Sequence, residues 1–461
     1  MCSALHEAVI LVLIGVTMNY KNLMVASLLF LSGMLFAQEA VKESLVESSQ
    51  TESYVIDAES AVKMALENQS SLKESKILLD QNKRKYDHSW NNFLPSITAG
   101  LSGSESSPLS DLSSGSTNLS TQISAGLSLN FGIGAKLKAL KADYENGLLD
   151  YEDAVKAIEL EIREAFYTLL YKQAQVKLAE ESVKNYKTQY NQIKIKSQRG
   201  LVPEIDLLTS QVNLESSRIE LKNTQSDYSS SLIEFMNEIG LTEKNIESVS
   251  LKGSLEDYRQ LLDYSIDSEN LNELIENSSS VRTIKNQLES AELSRKEAMA
   301  SYYFPSVNLS LSASPYSYNY SLESQSGSSG SNTFTASVGF SISLDNYIPG
   351  SAASDSIADI DDIIKTYELQ LEEKRSELKT SIVEKINSIE IAQDSLSNCE
   401  NNVKLAKKTY ELALTAYQNG TKDLTSLQTI LASYNDAVLQ LNSQQLTLIK
   451  GILELKNTLG I

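Results

Sequence analysis

The chain has 461 residues, with 40 Lys+Arg against 60 Asp+Glu, a net charge of −20 and only 6 Pro. Such an acidic balance leaves no basic stripe for phosphates and argues against nucleic-acid binding. Few prolines and abundant Ser and Asn suit long, polar-faced helices better than one compact core.

Met18-Asn19-Tyr20-Lys21 leads into the apolar run Leu23–Phe36 and then Ala37-Gln38-Glu39. A positive start, a short apolar run and a small residue before a polar one describe a secretory signal peptide over 1–37, with cleavage after Ala37. Residues 1–17 read as an over-extended start. The run is too short to span a membrane as a helix, and no helical span follows it. No Cys stands directly after the cleavage point, so no lipid-anchored mature N-terminus is expected. Only Cys399 remains after processing, which leaves no disulfide framework; mid-helix, it reads as a small core residue.

Residues 38–57 are polar and read as loosely ordered. An amphipathic helix follows from about Glu59, with Val62, Leu66, Ile77 and Leu78 at helical spacing, up to Trp90, Phe93 and Pro95. Over 94–131 the period changes to two: Ile97, Ala99 and Leu101, then Ile123, Ala125, Leu127, Leu129 and Phe131, alternate with small or polar residues. The Ser/Gly-rich residues 102–118 between them read as a loop, and it holds the segment's only charges, Glu105 and Asp111. A charge-free hairpin of alternating strands fits a lipid-facing barrel wall.

Residues 132–198 then run without a Pro and with heptad-like spacing, the pattern of a coiled coil. Gly200 closes this helix and Pro203 opens the next, so 199–206 is a helix–tip–helix turn. In 203–240, Leu207, Leu214, Leu221, Tyr228 and Phe235 fall at sevens, with small Ser210, Ser217, Thr224 and Ser231 at the half-steps.

After a mixed connector, 241–271, the plan repeats over 272–461. A helix reaches Tyr302-Tyr303-Phe304-Pro305-Ser306, which echoes Asn92-Phe93-Leu94-Pro95-Ser96. Alternating strands occupy 305–345 around a Ser/Gly loop at about 314–332. A long helix covers 350–418, a tip 419–424 carries Gly420, and a last helix covers 423–460. Each long helix is about 100 Å at 1.5 Å per residue, and the two shorter helices of each half match it when stacked end to end. Four strands cannot close a barrel and an open edge cannot sit in lipid. Oligomerisation follows, with three copies giving twelve strands and twelve helical columns.

The two Pro-Ser strand starts, the paired tips Gly200-Leu201-Val202 and Gly420-Thr421, and the duplicated helix–strand–loop–strand–helix–tip–helix order resemble the TolC family of outer-membrane efflux and type I secretion ducts. The resemblance covers essentially all of 58–460. It implies a mainly α fold with β: long coiled-coil hairpins forming a periplasmic α-barrel, and four strands per chain in a 12-stranded trimeric barrel. The expected setting is the outer membrane of a Gram-negative-type (diderm) bacterium, with a large periplasmic part. Expected partners are two further copies, outer-membrane lipid, a periplasmic adaptor (membrane fusion) protein and an inner-membrane transporter, with no nucleic acid and no cofactor.

The same resemblance points to residues. An acidic residue six after the first-tip glycine, Asp206, pairs in the family with a basic one two after the second-tip glycine, Lys422, as a latch that a partner can break. Solvated tip charges are the plain alternative. Family gate carboxylates would stand at Ser426 and Thr429; with neither acidic here, Asp423 and Glu204 are the substitutes. Arg199, Gly200, Leu201, Asn419, Gly420 and Thr421 match the tips that meet adaptor hairpins, and helix termination alone also explains both glycines. Trp90, Phe93, Pro95, Tyr302, Tyr303, Phe304 and Pro305 lie where helix turns to strand, where an aromatic belt and simple junction packing are both reasonable.

No nucleophile–base pair, metal-ligand cluster or phosphate loop is present, so no catalytic, cofactor or metal residue is assigned. Gly132-Ile133-Gly134 is a strand–helix corner too short for a dinucleotide fingerprint. His88 is the mature chain's only His and reads as structural. The competing expectation is a secreted coiled-coil structural or adhesive protein without a pore. The charge-free alternating hairpins argue against it, since a soluble coiled coil has no use for them.

Overall fold

A computed structural model describes residues 54–107, 115–241, 249–261, 271–321, 326–330 and 332–460. The expected signal peptide and residues 38–53 lie outside them. Apart from Tyr54, the described residues belong to the second of two units, Val55–Ile461.

Strand β1 (Tyr54–Ile56) leads into α1 (Ala58–Asn68) and α2 (Ser70–Asp87), and a 3-10 turn, Ser89–Phe93, links α2 to the sheet. The sheet begins with β2 (Ser96–Ser106) and β3 (Ser116–Leu129). Helix α3 (Ile133–Gln198) and helix α4 (Glu204–Glu238) make the first long hairpin. The connector holds β4 (Val249–Leu251), a short α5 (Tyr258–Leu261) and α6 (Leu271–Asn277). The second half runs α7 (Ser279–Tyr303), β5 (Ser306–Ser321), β6 (Ser326–Ser329), β7 (Thr333–Ser341), α8 (Ala352–Gln418) and α9 (Leu424–Leu459).

Several expectations need correction. Residues 54–56 are not loose: the Ile56 carbonyl accepts the Lys252 N–H at 2.8 Å, beside β4. The first short helix is two, broken at Gln69, and its counterpart breaks at Ser278. Both breaks sit where another helix ends. The Asn68 side-chain amide donates to the Ile239 carbonyl at 3.2 Å, just before Gly240 turns the chain away from α4. Leu455 and Leu459 at the end of α9 pack with Ile275 and Val281 on either side of Ser278. The end-to-end stacking is therefore real, and the upper helix breaks to receive the lower one. Cys399 is only half-buried.

The strands run further into the Ser-rich stretches than their composition suggests. Strand β5 reaches Ser321, inside the segment expected to be a loop, and β3 starts at Ser116. Sheet order is β2-β3-β5, all antiparallel, and β6 and β7 both pair with β5, at Tyr318–Ser321 and Ser306–Ser314 respectively. They occupy one interrupted fourth position. Among the described residues no strand covers the outer edge of β2 or of β7.

Helix columns follow the same order as the strands. In the half next to the sheet, α3 packs against α2 and α7, and α7 against α8; in the tip half, α3 packs against α4 and α9, and α9 against α8. Large and small layers let α3 and α4 approach closely, with Leu214 and Phe235 buried and Ser210 and Ser217 also buried between them.

Candidate functional site

Both tips use the same local device. The Gly200 backbone has φ +70° and the Leu201 N–H donates to the Lys196 carbonyl at 2.9 Å; Gly420 has φ +77° and the Thr421 N–H donates to the Ala416 carbonyl at 3.0 Å. A six-to-one bond across a left-handed residue is the Schellman closure, and it favours glycine. A Cβ at either glycine would meet nothing within 4 Å, so the demand is conformational rather than steric. Pro203, at φ −63°, starts α4, and Glu204 and Asp206 lie in its first turn, where the helix dipole favours anions.

Beneath the tips, Ile193, Ala413, Tyr417, Leu424 and Leu427 form a buried cluster with Val202 and Leu207 packed against it. The Lys196 ammonium stands 4.9 Å from the centre of the Tyr417 ring. Burial, and then the charge of Asp206, push the Tyr417 hydroxyl above its usual range. Tyr417 was not singled out by sequence; its one signal is an aromatic residue three before the second-tip glycine.

Asp423 precedes α9 as its N-cap, and the nearby Ser426 hydroxyl holds its carboxyl below the usual carboxylate range. Thr429 is exposed and its hydroxyl is spent on the Thr425 carbonyl at 3.0 Å. Arg199, Gly200, Leu201, Asn419, Gly420, Thr421 and Lys422 are all exposed. Among the described residues, no ion pair joins Asp206 to Lys422 within one chain.

At the other end, the junction aromatics divide into two kinds. Trp90, Phe93 and Phe304 are exposed, whereas Tyr302 and Tyr303 are half-buried and take structural bonds. The Asn346 amide donates to the Tyr302 carbonyl at 2.9 Å and the Tyr347 hydroxyl to the Tyr303 carbonyl at 2.5 Å. Phe131 meets Phe304 at 5.7 Å between ring centres. Pro95 and Pro305 each immediately precede a strand, where a missing N–H costs no ladder bond.

Register decides the character of the sheet. Ile97, Ala125, Leu311 and Ala336 form one row across four strands, and Leu129, Val307 and Phe340 form another. This face is open: Ile97 is 73 %, Phe334 72 % and Phe340 74 % exposed. The opposite face carries Thr98 hydrogen-bonded to Ser124 at 2.7 Å, Ser102 to Ser120 at 2.8 Å and Ser310 to Ser337 at 2.6 Å. One wall is therefore hydrocarbon and the other hydroxyl.

A bulge completes the apolar face. Thr121 pairs with Tyr316 but Ile123 with Ala313, so β5 carries one extra residue at Ser314-Pro315. That insertion reverses the parity of the strand and keeps Tyr316, Tyr318 and Tyr320 on the same side as Val307, Leu309 and Leu311. Sequence reading missed these tyrosines by placing them in a loop, although their period of two was a usable signal. From Val307 to Tyr316 is about 30 Å along the strand, or about 23 Å across a membrane at the tilt of such barrels. Exposed aromatics bound the apolar rows at both ends, as in a membrane barrel wall.

Among the described residues no helix is long and apolar enough to cross a membrane, which says nothing of the sheet. No group of three or more His, Cys, Asp or Glu is placed to hold a metal ion there either.

The family profile of outer membrane efflux proteins matches residues 61–241 and 270–460. The chain belongs to that family. It is an outer membrane efflux protein. Among solved structures, this efflux protein is similar to the Campylobacter jejuni CmeC outer membrane channel, at 15 % identity and TM-score 0.69, covering 87 % of this chain and 85 % of that one. It is similar to the Neisseria gonorrhoeae MtrE outer membrane channel in its open state, at 16 % identity and TM-score 0.70, covering 87 % and 88 %. The Vibrio cholerae outer membrane protein VceC matches at 14 % identity and TM-score 0.67, covering 87 % and 96 %. At such identity these likenesses establish the fold. No curated protein matches the chain.

Proposed function

We propose that three copies of this efflux protein close into one duct, with a twelve-stranded barrel in the membrane and a twelve-column helical tube beneath it. The observation that carries this reading is the sheet: a hydrocarbon face, a hydroxyl face and, among the described residues, two uncovered edges, β2 and β7. Uncovered edges cannot stand in lipid, and joining β2 of one copy to β7 of the next removes them all. The hydroxyl face then lines the passage. The chain carries out no chemistry of its own; an inner-membrane transporter supplies the energy.

The tips are the gate. Arg199, Gly200, Leu201, Asn419, Gly420 and Thr421 form the surface that an adaptor engages. Asp206 of one hairpin and Lys422 of a neighbouring copy form the latch. An exposed pair is worth about 0–1 kcal/mol, small enough for a partner to break. Asp423 and Glu204 supply the acidic ring in place of Ser426 and Thr429.

Single-channel conductance in planar bilayers tests both levels. Wild type should give a small, cation-preferring conductance that rises in Asp206→Ala and in Lys422→Ala. A pore indifferent to both changes removes the latch and keeps the duct. A well-folded, membrane-inserted oligomer without conductance removes the duct.

A further inference from the structure

The two outer helix edges of the chain carry opposite charge just beneath the sheet. Helix α2 lays Leu79, Asn82 and Tyr86 on α3: Leu79 and Asn82 face Gly147, and Tyr86 stacks on Tyr144 at 5.9 Å. On the opposite side, at helical spacing, Ile77, Gln81, Arg84 and His88 are exposed, with Lys73, Glu74, Asp80 and Lys85 beside them. The turn nearest the sheet, Arg84, Lys85 and His88, is the basic part of this edge. Helix α8 turns Ala353, Leu371, Leu378 and Ile382 inward, and its opposite edge exposes Asp355, Asp359, Asp362, Leu369 and Glu373. Among the described residues, Arg84, Lys85, Asp355 and Asp359 take part in no ion pair. Asp362 pairs only with its own neighbour Lys365, at 3.1 Å on the surface.

We propose that neighbouring copies meet along an ion-paired seam, the basic α2 edge of one copy against the acidic α8 edge of the next. The inference rests on the ring of copies proposed above and says which surfaces join. Helix α2 rises to the sheet and ends at Asp87, while α8 leaves it at Ala352. Equal steps of about 1.5 Å from that junction bring Arg84 level with Asp355 and Ile77 level with Asp362. Nearer the tips the same two outer columns change character. Ile205, Leu208, Val212 and Ile219 are exposed along α4, and Ile391, Leu405 and Leu412 along α8.

Apolar contact supplies the area there, but it is non-directional. Opposite charges on opposite edges add direction. Two α2 edges repel, as do two α8 edges, so the two-fold pairing that would dead-end as a dimer is disfavoured. Only the head-to-tail contact that closes a ring pairs the charges.

The test uses the full chain with Cys2→Ser and Cys399→Ser, carrying Arg84→Cys and Asp355→Cys. These positions lie on opposite edges of one copy, so a disulfide between them must join two copies. Oxidation should give covalent dimers and trimers on a non-reducing gel, and none for Arg84→Cys with Glu373→Cys. Separately, Arg84→Glu with Lys85→Glu should raise the dissociated fraction by about tenfold or more, and adding Asp355→Lys with Asp359→Lys should restore assembly.

Trimers by light scattering that neither cross-link nor respond to reversal overturn the seam and leave the duct standing. The same holds if reversal instead abolishes binding to vesicles of anionic lipid, which would assign the basic edge to headgroups. A wild-type chain that is monomeric in detergent and in membranes overturns the duct as well.

Discussion

Lys196 and Tyr417 tie the first tip to the second, with the ammonium on α3 4.9 Å from the centre of the ring on α8. The ring is nearly buried, beside Ile193 and Leu427, and the cation sits on its face. The contact adds about 0.5–1 kcal/mol at a partly exposed site, whereas emptying the ring's volume costs about 3–5 kcal/mol. Tyr417→Ala should therefore speed amide exchange around Ile193 and Leu427 far more than Lys196→Gln does, and Tyr417→Phe should leave it nearly unchanged. Equal effects of the first two would mean the cation, not the packing, holds the tips.

Gly200 and Gly420 need left-handed backbone and meet no neighbour. Gly200→Ala and Gly420→Ala should each destabilise their tip by about 1–2 kcal/mol, and Gly200→Asn by much less. Limited proteolysis at the tips reads this out. Unchanged cleavage in both alanine variants would show that the tips relax to another closure.

The two faces of the sheet predict opposite outcomes from one chemical change. Leu311→Lys, on the hydrocarbon face midway between Val307 and Tyr316, should cost about 2–4 kcal/mol in the bilayer midplane and sharply lower the yield of outer-membrane protein. Ser337→Lys, on the hydroxyl face, should insert normally and shift the reversal potential toward anions. Failure of both to insert would contradict the face assignment.

Glu276 carries the clearest pH signature. Arg375 and then Lys285 donate to its carboxylate at 3.0 Å and 2.6 Å and hold its pKa down to about 2. A depressed pKa contributes stability above the unfolded value, and that stability is lost as pH falls from about 4.5 to about 2. The group is exposed enough that solvent screens it, so the gain is about 1 kcal/mol or less. Glu276→Gln should lower the melting temperature slightly at pH 7, and the difference should vanish near pH 2.

Much of this was legible because its causes are local. A Schellman closure needs a glycine and its neighbours, so Gly200 and Gly420 announced both tips. Alternation over Ile97–Leu101 and Phe334–Phe340 announced strands. The same local reasoning failed at 314–321, where Ser, Pro and Asn favour turns in isolation. There the sheet rewards hydroxyls facing hydroxyls, and a bulge at Pro315 returns the tyrosines to the outer face. The breaks at Gln69 and Ser278 carry no Gly or Pro, because their cause is the end of another helix arriving from far along the chain.

By itself the sequence determined the duplication, the lengths of the four long helices, the tips and the alternation of the strands, since each follows from spacing within a few turns or residues. Only the tertiary structure decided that Lys196 stands over the Tyr417 ring, which faces of the strands align into a hydrocarbon wall, and that α2 and α8 are the outer edges. Those are relations between distant segments, and they are set by how helices stack and strands register rather than by the propensity of any one stretch.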